Sequence, residues 1–269
     1  MVLNVVITGS SKGIGFALAN EFIRLGDNVI ISSSNEERTK EAVKKLKEKY
    51  VRSNIFGQKC DVTKTEDLEQ LVQFAVEKLG SIDIWINNAG IANPYKSLDE
   101  LELEEIAKVL EINVLSVLNA SKIVLKQLKK QKYGKIFNVA GMGSDGRPAP
   151  KLIPYAASKS TIPIITKSLS KELKEYRIQV NYIHPGMTLT DIITSQLSPQ
   201  LIWIFNILGD IPKNVAQKLV PKMKKTKKTG KGIYYSNSLK VFWKFATAVF
   251  RKERFITKDG KVKIKNEVF

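Results

Sequence analysis

The chain has 269 residues, 43% of them hydrophobic, with one cysteine, one histidine and a net charge of +18. That size and apolar content can fill one large α/β core, while the lone Cys60 and His184 exclude an intramolecular disulfide and a Cys/His zinc cluster, so no metal site is expected. The longest apolar runs, 201–208 and 241–250, are well short of the roughly 20 residues that cross a bilayer; with no leader-like pattern before the first strand, the expected compartment is the cytosol.

β-Branched apolar runs alternate with amphipathic helical patterns. Strands are expected at 2–8, 28–32, 54–60, 82–86, 135–139 and 178–183, and helices at 13–25, 35–49, 66–79, 102–131 and 154–175. Strict alternation with buried strands implies a Rossmann-type, doubly wound parallel sheet in a three-layer α/β/α domain. Residues 1–199 are expected to form its nucleotide-binding, catalytic part and residues 200–269 a basic C-terminal extension of the same domain. Pro163 should kink the helix 154–175 or end its first segment.

In chain order, the first unusual segment is Thr8-Gly9-Ser10-Ser11-Lys12-Gly13-Ile14-Gly15, between the first strand and the first helix. A glycine-rich turn placed there lets the backbone approach a pyrophosphate, whose charge then sits on a helix N-terminus. Glycines also gather in turns that bind nothing, but the next strand arrives after one helix, as a right-handed βαβ unit requires. Asp61, Asn88-Ala89-Gly90, Gly141 to Ser144 and Pro185-Gly186 follow the third, fourth, fifth and sixth strands. All the unusual residues therefore collect at the strand C-termini, where such sheets bind ligands.

Tyr155 and Lys159 are four apart near the start of a helix and share a face. One such pair is expected by chance in a lysine-rich chain, yet no other tyrosine here has a lysine at that spacing. A free phenol, with a pKa of about 10, is a poor proton donor near neutrality. An ammonium about 4 Å away contributes about 4 kcal/mol at an effective dielectric near 20, enough to lower that value by about 3 units before desolvation opposes it.

These residues resemble the classical short-chain dehydrogenases/reductases: TGxxxGxG at Thr8 to Gly15, NNAG at Asn87 to Gly90, an active-site Asn at Asn113, YxxxK at Tyr155 and Lys159, and the PG motif at Pro185-Gly186. The match covers roughly residues 1–191. The resemblance implies a carbonyl reductase or alcohol dehydrogenase using a nicotinamide dinucleotide. Tyr155 would give a proton to the carbonyl oxygen, Lys159 would hold the nicotinamide ribose and depress the tyrosine pKa, and Asn113 would hold a water. Gly9, Ser11, Lys12, Gly13, Ile14 and Gly15 would cradle the phosphates. Asp61 and Val62 would face the adenine, Asn88, Ala89 and Gly90 would line the cleft, and Pro185, Gly186, Thr188 and Thr190 would approach the carboxamide.

Where a carboxylate usually meets a ribose 2′-hydroxyl, this chain has Ser32-Ser33-Ser34-Asn35, and an acid there would repel a 2′-phosphate. Ser33 and Ser34, with Lys12 and the weaker candidate Arg38, therefore point to NADP(H). The loop after the fifth strand departs from the family, because Gly141 takes the place of the usual carbonyl-polarising serine. Ser144 could replace that serine only if the loop folds back; otherwise it is a plain turn residue.

That loop, Phe137 to Pro150, and the segment His184 to Asp191 resemble the chlorophyll(ide) b reductases, which reduce a formyl group on the chlorin ring. The implied substrate is a bulky apolar carbonyl compound, with a keto-lipid reductase at a membrane surface as the alternative. Because of Gly141, a non-catalytic NADP(H)-binding protein is the rival from another class. The family resemblance also implies a homo-oligomer.

Twelve of the eighteen net charges fall in residues 219–269. There Lys222, Lys224, Lys225, Lys227, Lys228 and Lys231 follow the aromatic run 201–205 and precede Val241-Phe242-Trp243. The segment suits an anionic membrane surface, or a substrate lid with solvated lysines, in place of the glycine-rich seventh strand usual in the family. No nucleic-acid motif accompanies the charge, so no nucleic-acid partner is expected.

Overall fold

The computed structural model describes residues 1–191, 199–236, 238–248, 253–257 and 259–263. The ends of the apolar run 241–250 and of the C-terminal extension lie outside the described residues. Seven parallel strands form one sheet in the order β3-β2-β1-β4-β5-β6-β7. They are β1 (Asn4–Ile7), β2 (Asn28–Ser33), β3 (Ile55–Lys59), β4 (Ile84–Asn87), β5 (Tyr133–Val139), β6 (Arg177–His184) and β7 (Gly232–Tyr234). The order reverses between β1 and β4, which opens a crevice beyond their C-terminal ends.

The two faces of the sheet follow from the alternation of side chains along each strand. Val5 and Ile7 face one layer with Leu18 and Phe22 of helix α1 (Gly13–Arg24). Val6 and Trp85 face the other, with Leu68 and Leu71 of α3 (Thr65–Leu79) and Val124 and Leu128 of α5 (Ser116–Gln131). Strands buried on both sides have no polar face to show, which explains their near-continuous Val/Ile runs. Helix α2 (Glu36–Lys49) is capped by Asn35, whose side chain accepts the Arg38 N–H.

The segment expected as one helix over 102–131 is α4 (Leu103–Leu110) and α5, joined by a single π-helical turn, Glu111–Leu115. Helix α6 (Ile153–Glu172) runs through Pro163 without ending there.

The seventh strand corrects the reading of the C-terminal segment. Gly232–Tyr234 pairs with Tyr182 to His184 and completes the sheet. A side chain at Gly232 would stand 2.5 Å from the Tyr182 ring, which explains the glycine. Helix α7 (Pro199–Leu208) leads into α8 (Pro212–Lys225). Val215, Ala216, Leu219, Val220 and Met223 of α8 are fully buried in the same core cluster as α1. At the far end of α8, Lys224 pairs at 2.5 Å with the buried Asp27, just ahead of β2. Lys135, near the start of β5, donates to the carbonyls of Lys224 (2.9 Å) and Thr226 (3.0 Å).

The aromatic helices sit at the opposite end. Helix α9 (Ser238–Ala246) packs on α7, and Lys244 donates to the Leu208 carbonyl at 2.7 Å. Leu189, Ile202, Phe205, Ile211, Phe255 and Ile256 form a small core beneath them. Trp203 and Trp243, about 60% exposed, thus stand at the C-terminal edge of the sheet. The length of α8, about 20 Å, separates them from Lys224 and Lys225.

Candidate active site

The turn after β1 is shaped by backbone geometry that only glycine adopts cheaply. Gly9 and Gly13 have φ of +60° and +59°. A Cβ on Gly9 would fall 2.7 Å from the Ala89 Cα, so the turn lies directly against the segment after β4. Thr8 ties the two together: its hydroxyl accepts the N–H groups of Asn88 (3.0 Å) and Ala89 (3.1 Å). Asn88 Nδ2 donates to the carbonyls of Thr8 and Gly9, both at 2.8 Å. Buried Ser10 and Ser32 add a second link, Ser10 Oγ accepting the Ser32 N–H at 3.0 Å. Both serines lie in segments that the sequence singles out, Thr8 to Gly15 and Ser32 to Asn35, but their bond to each other joins the phosphate turn to the end of β2.

Helix α1 has no side-chain cap at Lys12. Its first amides are therefore unsatisfied by side chains, and a helix start in that state suits a phosphate. Ser11, Ile14 and Gly15 lie in or beside this turn. The uncapped helix, the glycine cradle and the positive φ values together fit a dinucleotide pyrophosphate.

On the adenosine side, Ser33 Oγ bonds to the Asn35 carbonyl (2.9 Å) and to Thr39 Oγ1 (2.8 Å), while Ser34 and Arg38 are exposed. Lys12 is ion-paired with Asp191 across the mouth of the cleft, both side chains being about half exposed. A Cβ on Gly13 would lie 3.5 Å from Thr190 Cγ2, so the segment after the PG motif closes onto the phosphate turn. Asp61 accepts from the backbone and hydroxyl of Thr63, and its neighbour Val62 is buried.

Gly90 brings the reactive groups together: a Cβ there would lie 3.1 Å from Asn113 Oδ1 and 3.3 Å from Lys159 Nζ. Asn113 projects inward from the π turn, a feature frequent at functional sites. Its Oδ1 accepts the Ile91 N–H (2.9 Å), and its Nδ2 donates to the Ile91 carbonyl (2.8 Å) and Ser158 Oγ (2.9 Å). Its side chain is thus a clamp on the Asn88–Ile91 segment. Asn93 continues the clamp by accepting the Tyr155 N–H at 3.2 Å.

Gly141 makes room for the phenol of Tyr155, since a Cβ there would stand 2.6 Å from Tyr155 Oη and 3.3 Å from Lys159 Cγ. Gly143, at φ +91°, lies against Ala156, and the Ser144 N–H bonds the Gly141 carbonyl at 3.1 Å, closing a turn. Behind the site, Asn87 and Asn138 form a buried network in which Asn87 accepts from Trp85 Nε1 and donates to Ser121 and Asn138.

The expected lowering of the Tyr155 pKa is corrected by the structure. Burial pushes the phenol up to about 12 and the Lys159 ammonium down to about 8. The ammonium is engaged by the Val139 carbonyl at 3.1 Å and lies 5.9 Å from the Tyr155 ring centroid. Desolvation therefore outweighs the attraction that the four-residue spacing suggests.

Beyond β6, Gly186 adopts φ +71° and Thr188 Oγ1 donates to the Pro185 carbonyl at 3.2 Å. Asp210 pairs with this segment through its backbone, and its carboxylate accepts from Tyr235 Oη and from Asn214 Nδ2 at 2.7 Å. Among the described residues no cluster of potential metal ligands is present.

The sequence profile described as short chain dehydrogenase matches residues 3–200. The chain is 37% identical over 95% of its length to the chloroplastic chlorophyll(ide) b reductase NOL of Arabidopsis thaliana, covering 77% of that protein. It is 35% identical over 96% of its length to a probable chloroplastic chlorophyll(ide) b reductase of Oryza sativa subsp. japonica, of which it spans only 54%. Among solved structures, an actinorhodin polyketide ketoreductase variant with NADPH superposes with a TM-score of 0.77 at 26% identity, over 87% of this chain and 97% of that one. The plant relatives are chloroplastic by name, unlike the cytosolic compartment expected from the sequence. No helix among the described residues is long and apolar enough to cross a membrane.

Proposed function

Because the chain belongs to the short-chain dehydrogenase family, and so is an oxidoreductase of carbonyl and hydroxyl groups, we propose that it uses NADPH to reduce the formyl group of chlorophyll(ide) b or a closely similar apolar carbonyl. The convergence of Tyr155, Lys159 and Gly141 at the switch point, beside an uncapped glycine turn, carries this reading. Near-full-length similarity to chlorophyll(ide) b reductases supports the substrate. The absence of a carboxylate from Ser33-Ser34-Asn35 supports NADPH over NADH.

When bound, the cofactor would supply a hydride to the carbonyl carbon. Gly9, Gly13 and the first amides of α1 would hold its phosphates, and Lys12, Ser33 and Ser34 would receive its 2′-phosphate. Lys159 would hold the ribose, and Thr188 and Thr190 would lie toward the nicotinamide end. Tyr155 carries its proton at neutral pH, because burial raises its pKa, and donates it from Oη to the nascent alkoxide. With no side chain at Gly141, the substrate carbonyl would meet the phenol alone or with Ser144, three residues further along the same turn. Asn113 keeps the Asn88–Ile91 wall in place.

Helices α7 and α9, which belong to the C-terminal extension, form the apolar lid on this edge, with Trp203, Trp243 and Phe245 available to a flat chlorin. The keto-lipid alternative at an anionic membrane needs the basic and aromatic groups on one face, whereas Lys224 and Lys225 stand at the other end of α8. The chain would work as a homo-oligomer, supported by exposed Leu103, Leu110, Leu115 and Leu118 along α4 and α5 and Ile164 on α6.

The test is NADPH oxidation with chlorophyll b, chlorophyllide b, lipid ketones and small aldehydes, with Tyr155→Phe in parallel. Tyr155-dependent turnover of the formyl chlorins is the expected result. Turnover of lipid ketones alone would replace the substrate, and NADPH binding without any turnover would make the chain a dinucleotide-binding protein.

A further inference from the structure

The C-terminal extension reaches the site through one buried pair of side chains, Asp210, between α7 and α8, and Tyr235, directly after β7. The Tyr235 hydroxyl donates to one carboxylate oxygen of Asp210. The other oxygen accepts Asn214 Nδ2 at 2.7 Å and the Ile211 N–H at 3.0 Å. The backbone of Asp210 forms a parallel bridge with Thr188: its N–H donates to the Met187 carbonyl at 3.0 Å, and its carbonyl accepts the Leu189 N–H at 2.9 Å. Tyr235 meets the start of the same segment, its N–H donating to the His184 carbonyl at 3.0 Å and its ring lying 3.6 Å from where a Cβ on Gly186 would stand.

Helices of the extension close around this pair. Leu189 is buried with Ile202 and Phe205 of α7. Lys244 of α9 donates to the Leu208 carbonyl at 2.7 Å and lies 5.7 Å from the Tyr235 ring centroid, while Lys218 of α8 lies 4.8 Å from it. Further on, the segment is tied to the phosphate turn by the half-exposed pair of Asp191 with Lys12. An exposed pair of this kind contributes little, whereas a hydrogen bond to a buried carboxylate is among the strong ones. The firmer hold on residues 187–189 is therefore at Asp210.

We propose that Asp210 and Tyr235 are positioning residues: their bond is a latch that fastens the apolar lid to the Thr188 segment and so sets the end of the cleft that would receive the nicotinamide. The proposal rests on the carbonyl-reductase reading of this site. The phosphate turn is held instead by Thr8 and the Asn88 segment. The latch therefore bears chiefly on the nicotinamide half of the cofactor.

The two halves can be read separately in the full-length protein. Tyr235→Phe removes only the hydroxyl and leaves the ring against Gly186. By calorimetric titration the variant should bind NADPH about tenfold more weakly, the effect of losing one hydrogen bond to a charged group. Adenosine 2′,5′-bisphosphate, which has the 2′-phosphate but no nicotinamide, should bind as it does to the wild type. In hydrogen exchange followed by NMR the Leu189 and Asp210 amides should exchange about tenfold faster, whereas the Gly230 amide, which donates to the Val180 carbonyl at 2.7 Å, should keep its rate. With a formyl chlorin, kcat should fall about tenfold or more, since misplacement by about 1 Å can cost 10²-fold. Lys224→Met, at the far end of α8, is the control for stability alone and should change neither titration. Equal loss of affinity for both ligands, no loss for either, an unchanged kcat, or Leu189 and Asp210 amides that exchange as in the wild type would overturn the proposal. If no carbonyl is turned over while the titrations and the exchange come out as expected, the reductase reading fails and the latch stands; a wild type that binds neither ligand overturns both.

Discussion

The Gly141 Cα and the Tyr155 hydroxyl occupy adjoining space, so that a methyl group on Gly141 would stand 2.6 Å from Tyr155 Oη. A side chain here must move the phenol. Gly141→Ala should therefore lower kcat by about 10²-fold while leaving NADPH affinity intact. Gly141→Ser, which restores the residue usual at this position, should lose activity comparably rather than gain it. Steady-state kinetics with a fluorescence titration of NADPH separates the two quantities.

The buried lysine sets stability against activity. Lys159 titrates near 8 in the folded chain, against about 10.4 when exposed. Between these values the unfolded chain binds the extra proton, so folding stability rises with pH there and the burial cost is fully felt below about 8. Lys159→Met should thus raise the Tm of the free protein at neutral pH, by several degrees for a few kcal/mol, and by clearly less near pH 10. Turnover should fall at least 10²-fold. Calorimetry at the two pH values, with the activity assay, checks both halves.

The ion pair between Lys12 and Asp191 holds the phosphate turn to the segment after the PG motif. Exposed pairs of this kind contribute about 1 kcal/mol or less, so opening the pair is cheap. Lys12→Ala should raise the KM for NADPH roughly tenfold and barely alter that for NADH. Asp191→Asn should lower the NADPH KM a few-fold, because Lys12 is then free to meet the 2′-phosphate. Equal effects on the two cofactors would count against Lys12 as a phosphate-reading residue.

Asp27 is buried at the base of the sheet, where it accepts the Leu3 N–H at 3.1 Å and pairs with Lys224. Removing its partner leaves a buried charge uncompensated. Lys224→Met should cost about 3 kcal/mol, read as a lower urea midpoint. The double variant Asp27→Asn with Lys224→Met should recover much of the loss.

The central strands were legible because they are short β-branched runs between glycine-rich turns and amphipathic helices. β7 was not: three residues, Gly232-Ile233-Tyr234, in a lysine-rich stretch give no alternation to read, and the strand exists because Tyr182 to His184 offer it an open edge. Tyr155 and Lys159 were found by spacing, but spacing says nothing of desolvation, so the direction of the phenol shift was lost. The side-chain role of Asn113 depends on the Ile91 backbone. The pair Lys12–Asp191 joins residues 179 positions apart, a distance that no local pattern spans. Pro163 alone does not decide where a helix ends, and α6 continues past it to Glu172.

The π turn at Glu111–Leu115 has a consequence for chain length. A wide turn of this kind stores one residue beyond what an α-helix needs. Deleting a residue there would let α4 and α5 join as one regular α-helix, with Ala120, Val124 and Leu128 still turned to the sheet. What would be lost is the wide turn that aims Asn113 inward and with it the hold on Ile91. The extra residue thus serves the direction of one side chain and not the continuity of the helix.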